Sequence, residues 1–204
     1  MKDKKICIVD YGVSNVYSLF SAIKYLGYSI SVDTDGTSLS NSEVIFIPGV
    51  CSFGTGINAL NKRGQSQSIS QEAKKGKPII GLCLGAQMLL ENSEESLGFQ
   101  GLNLVPGKVV RISANKGFKV PNQNWHRIKF IGNEETVGEF PESIYYFSHS
   151  YEMVIDPKID YVYQIGDENS TIIAAFKYLN FTGIQFHPEL SGESGLRLLD
   201  ILLA

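Results

Sequence analysis

Two spacings of hydrophobic residues divide the chain. In the first half, short runs that are apolar at every position alternate with stretches that are apolar every third or fourth position. Residues 5–10 read as a buried strand, because Ile6, Cys7, Ile8 and Val9 follow one another without a polar break. Residues 15–26 predict a helix: Val16, Leu19, Phe20, Ile23 and Leu26 share one face, and Gly27 closes it. Strands follow at 28–32, 44–47 and 78–82, with a polar helix at 66–75 ended by Gly76. A further helix, 84–90, begins almost without a turn after the last of these strands. Strands apolar on both faces and separated by helices predict a parallel sheet covered on two sides. In the second half strand signals crowd together, at 108–112, 127–131, 144–147, 161–165, 172–176 and 182–186, before a terminal helix at 192–203 with Leu196, Leu199 and Leu203 on one stripe. The expectation is a three-layer α/β fold, a mostly parallel central sheet with added antiparallel strands, in one domain over 1–204.

Composition narrows the function. With 204 residues the chain has enough length for a full core. Its 18 Lys and Arg against 21 Asp and Glu leave a net charge of −3, which argues against gripping a nucleic-acid backbone. The longest apolar stretch, 79–90, is broken by Gly81, Gly85 and Gln87 and falls short of the ~20 residues of a membrane span. The lysine-rich start leads into no signal-peptide core. Three cysteines, Cys7, Cys51 and Cys83, cannot all pair, which fits a reducing cytoplasm and makes any well-placed thiol a chemical question. No cluster with metal-ligand spacing is evident, and neither a metal nor another cofactor is expected.

Cys83 is such a thiol. Gly81-Leu82-Cys83-Leu84-Gly85-Ala86-Gln87 spans a strand end and a helix start, which places the side chain at the carboxyl edge of the sheet, where open α/β folds bind ligands. Free N–H groups and the positive end of the helix favour thiolate, and the Leu84 amide is placed to hold an oxyanion. The alternative is a buried structural cysteine. A cysteine nucleophile needs a base. Of His126, His149 and His187, the last follows the apolar strand Gly183-Ile184-Gln185-Phe186 and precedes Pro188-Glu189. Proline is expected to keep this segment extended, so that Glu189 and His187, two apart, point to one side and Glu189 fixes the His187 tautomer as the third member of a triad does. A surface histidine beside a surface glutamate is the alternative.

Taken together, the Cys83 turn, Pro48-Gly49-Val50 and Gln185-Phe186-His187-Pro188-Glu189 resemble the class I, triad-type glutamine amidotransferases across nearly the whole chain. A narrower likeness, in Ile8-Val9-Asp10-Tyr11-Gly12 with Asn15, Ser93-Glu94-Glu95, Lys119-Val120-Pro121 with Trp125, and His149-Ser150-Tyr151, is to the HisH family, the glutaminase subunits of imidazole glycerol phosphate synthase. The resemblance implies that Cys83 attacks the glutamine side-chain amide, His187 transfers protons and Glu189 orients His187. It implies that the amides of Leu84 and of the Gly49-Val50-Cys51 loop hold the oxyanion. Gln87, Glu95, His149, Ser150 and Tyr151 then match positions that hold glutamine. It also implies a heterodimer with a cyclase subunit that receives the ammonia for histidine biosynthesis. Asn15, Leu190 and the polar segment Asn122, Gln123, Asn124, Trp125 and His126 face that partner.

The chain departs from the family pattern at Ser14 and Cys51, where glycine is usual, at 121–126, where Pro-His-Met-Gly-Trp-Asn is usual, and at Leu190, where lysine is usual. Apart from Cys51, these lie in segments that face the cyclase in the family. They leave open a paralogue that supplies ammonia to another synthase, such as one making a nitrogen-containing surface sugar. A peptidase-like cysteine hydrolase of the same fold usually has histidine after the nucleophile, where this chain has Leu84. A non-catalytic relative would be expected to lack Cys83, His187 or Glu189, and all three are present.

Overall fold

The structure is a computed structural model that describes residues 2–131, 140–156, 159, 161–167 and 170–204. The first half runs β1 (Lys2–Val9), α1 (Val16–Tyr25), β2 (Tyr28–Asp33), β3 (Val44–Ile47), α2 (Phe53–Lys62), α3 (Gln65–Lys74), β4 (Ile79–Leu82) and α4 (Leu84–Met88). The second half adds β5 (Asn92–Ser93), β6 (Gly107–Arg111), β7 (Asn122–Arg127), β8 (Lys129–Phe130), β9 (Ile144–His149), β10 (Tyr151–Ile155), β11 (Tyr161–Asp167), β12 (Ser170–Tyr178), β13 (Phe181–Ile184) and α5 (Gly192–Leu203).

The main sheet has the order β2-β1-β3-β4-β13-β12-β11-β8. Its first five strands are parallel and the last three join antiparallel, as expected. The pleat sends alternate residues of β1 to opposite cores. Ile6 and Ile8 pack with Leu19 and Ile23 of α1 and Leu198, Leu199 and Leu203 of α5. Cys7 and Val9 pack with Ile57 and Leu60 of α2 and Ile69 and Ala73 of α3. This gives three layers.

Three expectations need correction. Residues 53–62 form a helix that hydrophobic spacing did not announce, since Gly54, Thr55, Gly56 and Asn58 weaken its helical signal. The strand expected at 127–131 is split: β7 ends at Arg127 and the short β8 follows. β7 itself is polar and pairs antiparallel with β9 in a separate two-stranded sheet, with Asn122 opposite His149 and Trp125 opposite Tyr146.

The passage from β4 to α4 fixes the site. Cys83 has φ 51 and ψ −109, a conformation that costs a non-glycine residue about 1–3 kcal/mol. Its N–H donates to the carbonyl of Ile184 at 2.7 Å, which ties the turn to β13. Glycine on both sides permits the turn: a Cβ on Gly85 would fall on the carbonyl oxygen of Ile47, and one on Gly81 would lie 2.6 Å from the Ala86 nitrogen. Both obstacles are backbone. A Gly85→Ala variant is expected to lose at least ~2 kcal/mol, seen as a fall of roughly 4–8 °C in Tm by scanning calorimetry. An unchanged Tm would show that β3 and the turn can separate freely.

Candidate active site

β4 and β13 are parallel neighbours in register, with Leu82 opposite Ile184. The residues that follow them, Cys83 on one side and Gln185 to His187 on the other, therefore emerge together at the carboxyl end of the sheet. A cavity of about 380 Å³ opens there. It is lined by Cys83 and His187 together with Val50, Cys51, Gln87, Glu95, His149, Ser150 and Tyr151 from the expected set, and by Ser52, Pro121 and Ser148. Gly49 and Leu84 sit behind the lining. Leu84 is the first residue of α4, so its N–H lacks an intrahelical acceptor. The Tyr11 hydroxyl donates to the Pro48 carbonyl at 2.7 Å and packs against Gly49, holding the 48–51 loop from beneath.

His187 Nδ1 donates to Glu189 Oε1 at 2.8 Å, and both side chains are buried. The pairing is as expected, but the backbone route is not. Pro188–Leu190 form a 3-10 turn, not an extended segment. Ser191 Oγ donates to the His187 carbonyl at 2.6 Å and accepts from the Tyr146 N–H at 3.0 Å, which pins the turn to β9. Burial by itself would lower the His187 pKa. Hydrogen bonds to Cys83 and Glu189, and their charges, outweigh burial and push it up to about 10. The ring is thus held as an imidazolium between the sulfur and the carboxylate. Cys51 lies in the same cavity, yet its thiol is pushed up by burial and by the charge of Glu95, so it stays protonated.

The far wall is a chain of hydrogen bonds whose directions are fixed by one acceptor. The Tyr151 carbonyl accepts from His149 Nδ1 at 2.7 Å and from Gln87 Nε2 at 3.2 Å. His149 Nε2 must then accept, and Asn122 Nδ2 donates to it at 3.1 Å. Asn122 Oδ1 in turn accepts from His126 Nε2 at 2.8 Å. Two expectations change as a result. His149 lines the cavity but has no free ring donor for a substrate carboxylate, so it shapes the wall. Asn122, placed on a partner face by the sequence reading, is 2% exposed and sits behind His149 in the pocket wall. The rest of that segment faces outward: Gln123, Asn124 and Trp125 are exposed and His126 is half-buried.

The Trp125 ring lies 5.6 Å from that of Tyr146, whose ring lies 6.3 Å from that of His187. Asn15 donates to Ser18 Oγ at the start of α1. Leu190 borders a second, shallower cavity with Tyr17, Tyr25 and Glu189. Tyr17 and Tyr25 are 80% and 79% exposed and were not singled out from the sequence. Gln185, part of the run that carries the family resemblance but given no role there, is fully buried: its Oε1 accepts from Gln87 Nε2 at 3.0 Å and its Nε2 donates to Cys83 Sγ at 3.7 Å. Among the described residues no group of three or more His, Cys, Asp and Glu side chains is arranged to hold a metal ion.

Burial lowers the His149 pKa from 6.5 to about 4, so the ring is neutral in the folded chain. Between those values the unfolded chain binds more protons, and stability falls as pH drops from 6.5 toward 4. A His149→Gln variant lacks this term. Urea titrations at about pH 7, 5.5 and 4.5 should show the wild-type chain losing stability relative to the variant over that range. A difference that does not change with pH would mean that the ring is solvated.

Comparison with known proteins agrees with this geometry. Residues 7–200 match the family Glutamine amidotransferase class-I. The imidazole glycerol phosphate synthase subunit HisH of Geobacillus sp. (strain WCH70) is 35% identical over 198 residues, covering 95% of this chain and 93% of that one. The chloroplastic imidazole glycerol phosphate synthase hisHF of Arabidopsis thaliana is 34% identical over 97% of this chain, which spans only 33% of that longer protein. PurLQS from Thermotoga maritima shares the fold, with a TM-score of 0.74 at 22% identity over 99% of this chain and 98% of that one. The chain belongs to the class-I glutamine amidotransferase family, in its HisH branch.

Proposed function

We propose that the chain hydrolyses glutamine to glutamate and ammonia, with Cys83 as nucleophile. The observation that carries this reading is His187, held at Nδ1 by buried Glu189, lining the same cavity as Cys83. The Cys83 thiolate attacks the amide carbon, and the resulting oxyanion is met by the Leu84 N–H and an N–H of the 49–51 loop. His187 gives its proton to the leaving nitrogen, ammonia departs and a thioester remains. His187 then takes a proton from water, and the hydroxide attacks the thioester. Collapse of the second oxyanion frees the thiolate and the γ-carboxyl of glutamate, whose proton passes to ammonia or water. Glu95 accepts from the Phe53 N–H through Oε2 at 2.7 Å, leaving Oε1 to meet the substrate α-ammonium. Ser150 and Tyr151, with Gln87, bound the other end of the substrate.

Glutamate release by the purified variants tests the assignment. Cys83→Ala is expected to abolish it, while Cys7→Ala, altering a core thiol, leaves it nearly intact. Glu189→Gln keeps an acceptor for His187 but loses the charge, so a partial loss is expected, smaller than in His187→Ala. A substantial rate in Cys83→Ala would overturn the mechanism, and equal, complete loss in both His187→Ala and Glu189→Gln would give Glu189 a more direct part.

We further propose that the chain works in the cytoplasm as the glutaminase half of a heterodimer whose cyclase half uses the ammonia in histidine biosynthesis. Free ammonia at neutral pH is mostly ammonium and a poor nucleophile, so direct transfer preserves the product. The aromatic path from 52%-exposed Trp125 through Tyr146 to His187 gives a docked partner a contact with the base. Apolar Leu190, with exposed Tyr17 and Tyr25 beside it, favours a second reading in which the acceptor is a different synthase. Mixing the chain with the histidine-pathway cyclase of the same genome separates the two. Strong stimulation of glutamate release, lost in Trp125→Ala, is expected. A cyclase that neither binds nor stimulates, alongside another synthase that does, would establish the second reading.

A further inference from the structure

We propose that Gln185 holds Cys83 as thiolate, its buried amide donating to Sγ in an orientation imposed by the wall of the glutamine pocket. The proposal rests on the reading of Cys83 as nucleophile. Among the described residues, Sγ has two hydrogen-bonding neighbours besides His187. The Ser148 carbonyl, at 3.9 Å, can only accept, so it favours the protonated thiol. Gln185 Nε2, at 3.7 Å, donates and favours the anion. Which way the sulfur tips depends on which end of the Gln185 amide faces it.

That choice is made away from the sulfur. A backbone carbonyl cannot turn into a donor, so Tyr151 O fixes the –NH₂ end of Gln87 toward itself. The second N–H of that group donates to Gln185 Oε1 at 3.0 Å. Gln185, fully buried, then has its own –NH₂ toward Cys83. A flipped Gln185 would set a donor against the Gln87 donor and an oxygen against the sulfur, two conflicts at a fully buried amide. Gln185 has no reach to the substrate except through the thiol and Gln87. Its effect is therefore on the charge of the nucleophile more than on glutamine affinity.

The test reads that charge without glutamine. Iodoacetamide alkylation of Cys83 in the intact chain is followed by peptide mass spectrometry as a function of pH, which separates Cys83 from Cys7 and Cys51. A hydrogen bond to an ionised partner is worth roughly tenfold or more in equilibrium. Gln185→Met, of similar size and without a donor, is expected to raise the alkylation midpoint by about one pH unit and to cut neutral-pH reactivity about tenfold. Gln185→Glu keeps an acceptor for Gln87 but turns a carboxylate oxygen to the sulfur, and the midpoint should rise further. Gln87→Leu leaves Gln185 in place but frees its amide to turn, so a smaller rise is expected, and this variant decides the matter should the Gln185 variants not fold. A purely structural role would lower Tm and leave the midpoint alone. A wild-type midpoint in a soluble Gln185→Met or Gln87→Leu variant therefore overturns the proposal. Retained glutamine hydrolysis in Cys83→Ala would instead overturn the nucleophile assignment.

Discussion

The contact of the Gly85 backbone with the Ile47 carbonyl is the constraint on which the site depends. It lets a strand pass into a helix with one residue between them, and that residue is Cys83. The left-handed backbone at Cys83 is unfavourable by itself. It persists because packing on β3 and the hydrogen bond to Ile184 determine it from two sides. The same bond ties the nucleophile turn to β13, whose continuation supplies Gln185 and His187. Strand register thus sets the distance between thiol and base, and no side chain has to reach far. The entropy of ordering long side chains is avoided where the chemistry needs accuracy.

Around that backbone frame the polar groups are oriented by acceptors that cannot change role. Glu189 fixes the proton on His187 Nδ1, and the Tyr151 carbonyl fixes His149, Gln87 and, through them, Asn122 and Gln185. The two histidines of the pocket end in opposite states for that reason. His187 has a carboxylate and a thiol beside it and is charged; His149 has a carbonyl and an amide and burial keeps it neutral. Inside a poorly solvated pocket, a neighbour's charge outweighs the cost of burying the ring, whereas a neutral dipole does not.

Much of the frame could be read from sequence because buried parallel strands are apolar at every position, as in 44–47 and 79–82. The triad was legible too, since Cys83 sits between glycines and His187 stands two residues from Glu189. What was missed follows from one physical fact: a polar residue's partners are not written beside it. β7 reads as an exposed polar loop, yet Asn122 is buried because its amide spans two histidines, one of them across the strand pair. Gln185 directly follows an apolar strand, where a lone polar residue is easily passed over, and its partners are 98 and 102 residues away. The His187–Glu189 contact was anticipated for the wrong local reason, an extended proline segment, where Ser191 instead closes a tight turn.

The division between buried and exposed parts of the site also indicates where a partner can act. Thiol, base, carboxylate and both glutamines lie inside, fixed by strand register and by acceptor-only groups. A docking protein reaches them only through neighbours such as Trp125 and Tyr146. Val50 differs: it is 58% exposed on a loop held from beneath by the Tyr11 hydroxyl through Pro48, and its amide is among those that face the oxyanion in the proposed mechanism. Stabilising an oxyanion requires a donor aimed at a position occupied only in the transition state, so a small change in one peptide plane changes the rate while leaving glutamine binding nearly untouched. In the proposed mechanism, control from outside can therefore act on turnover through the 49–51 loop.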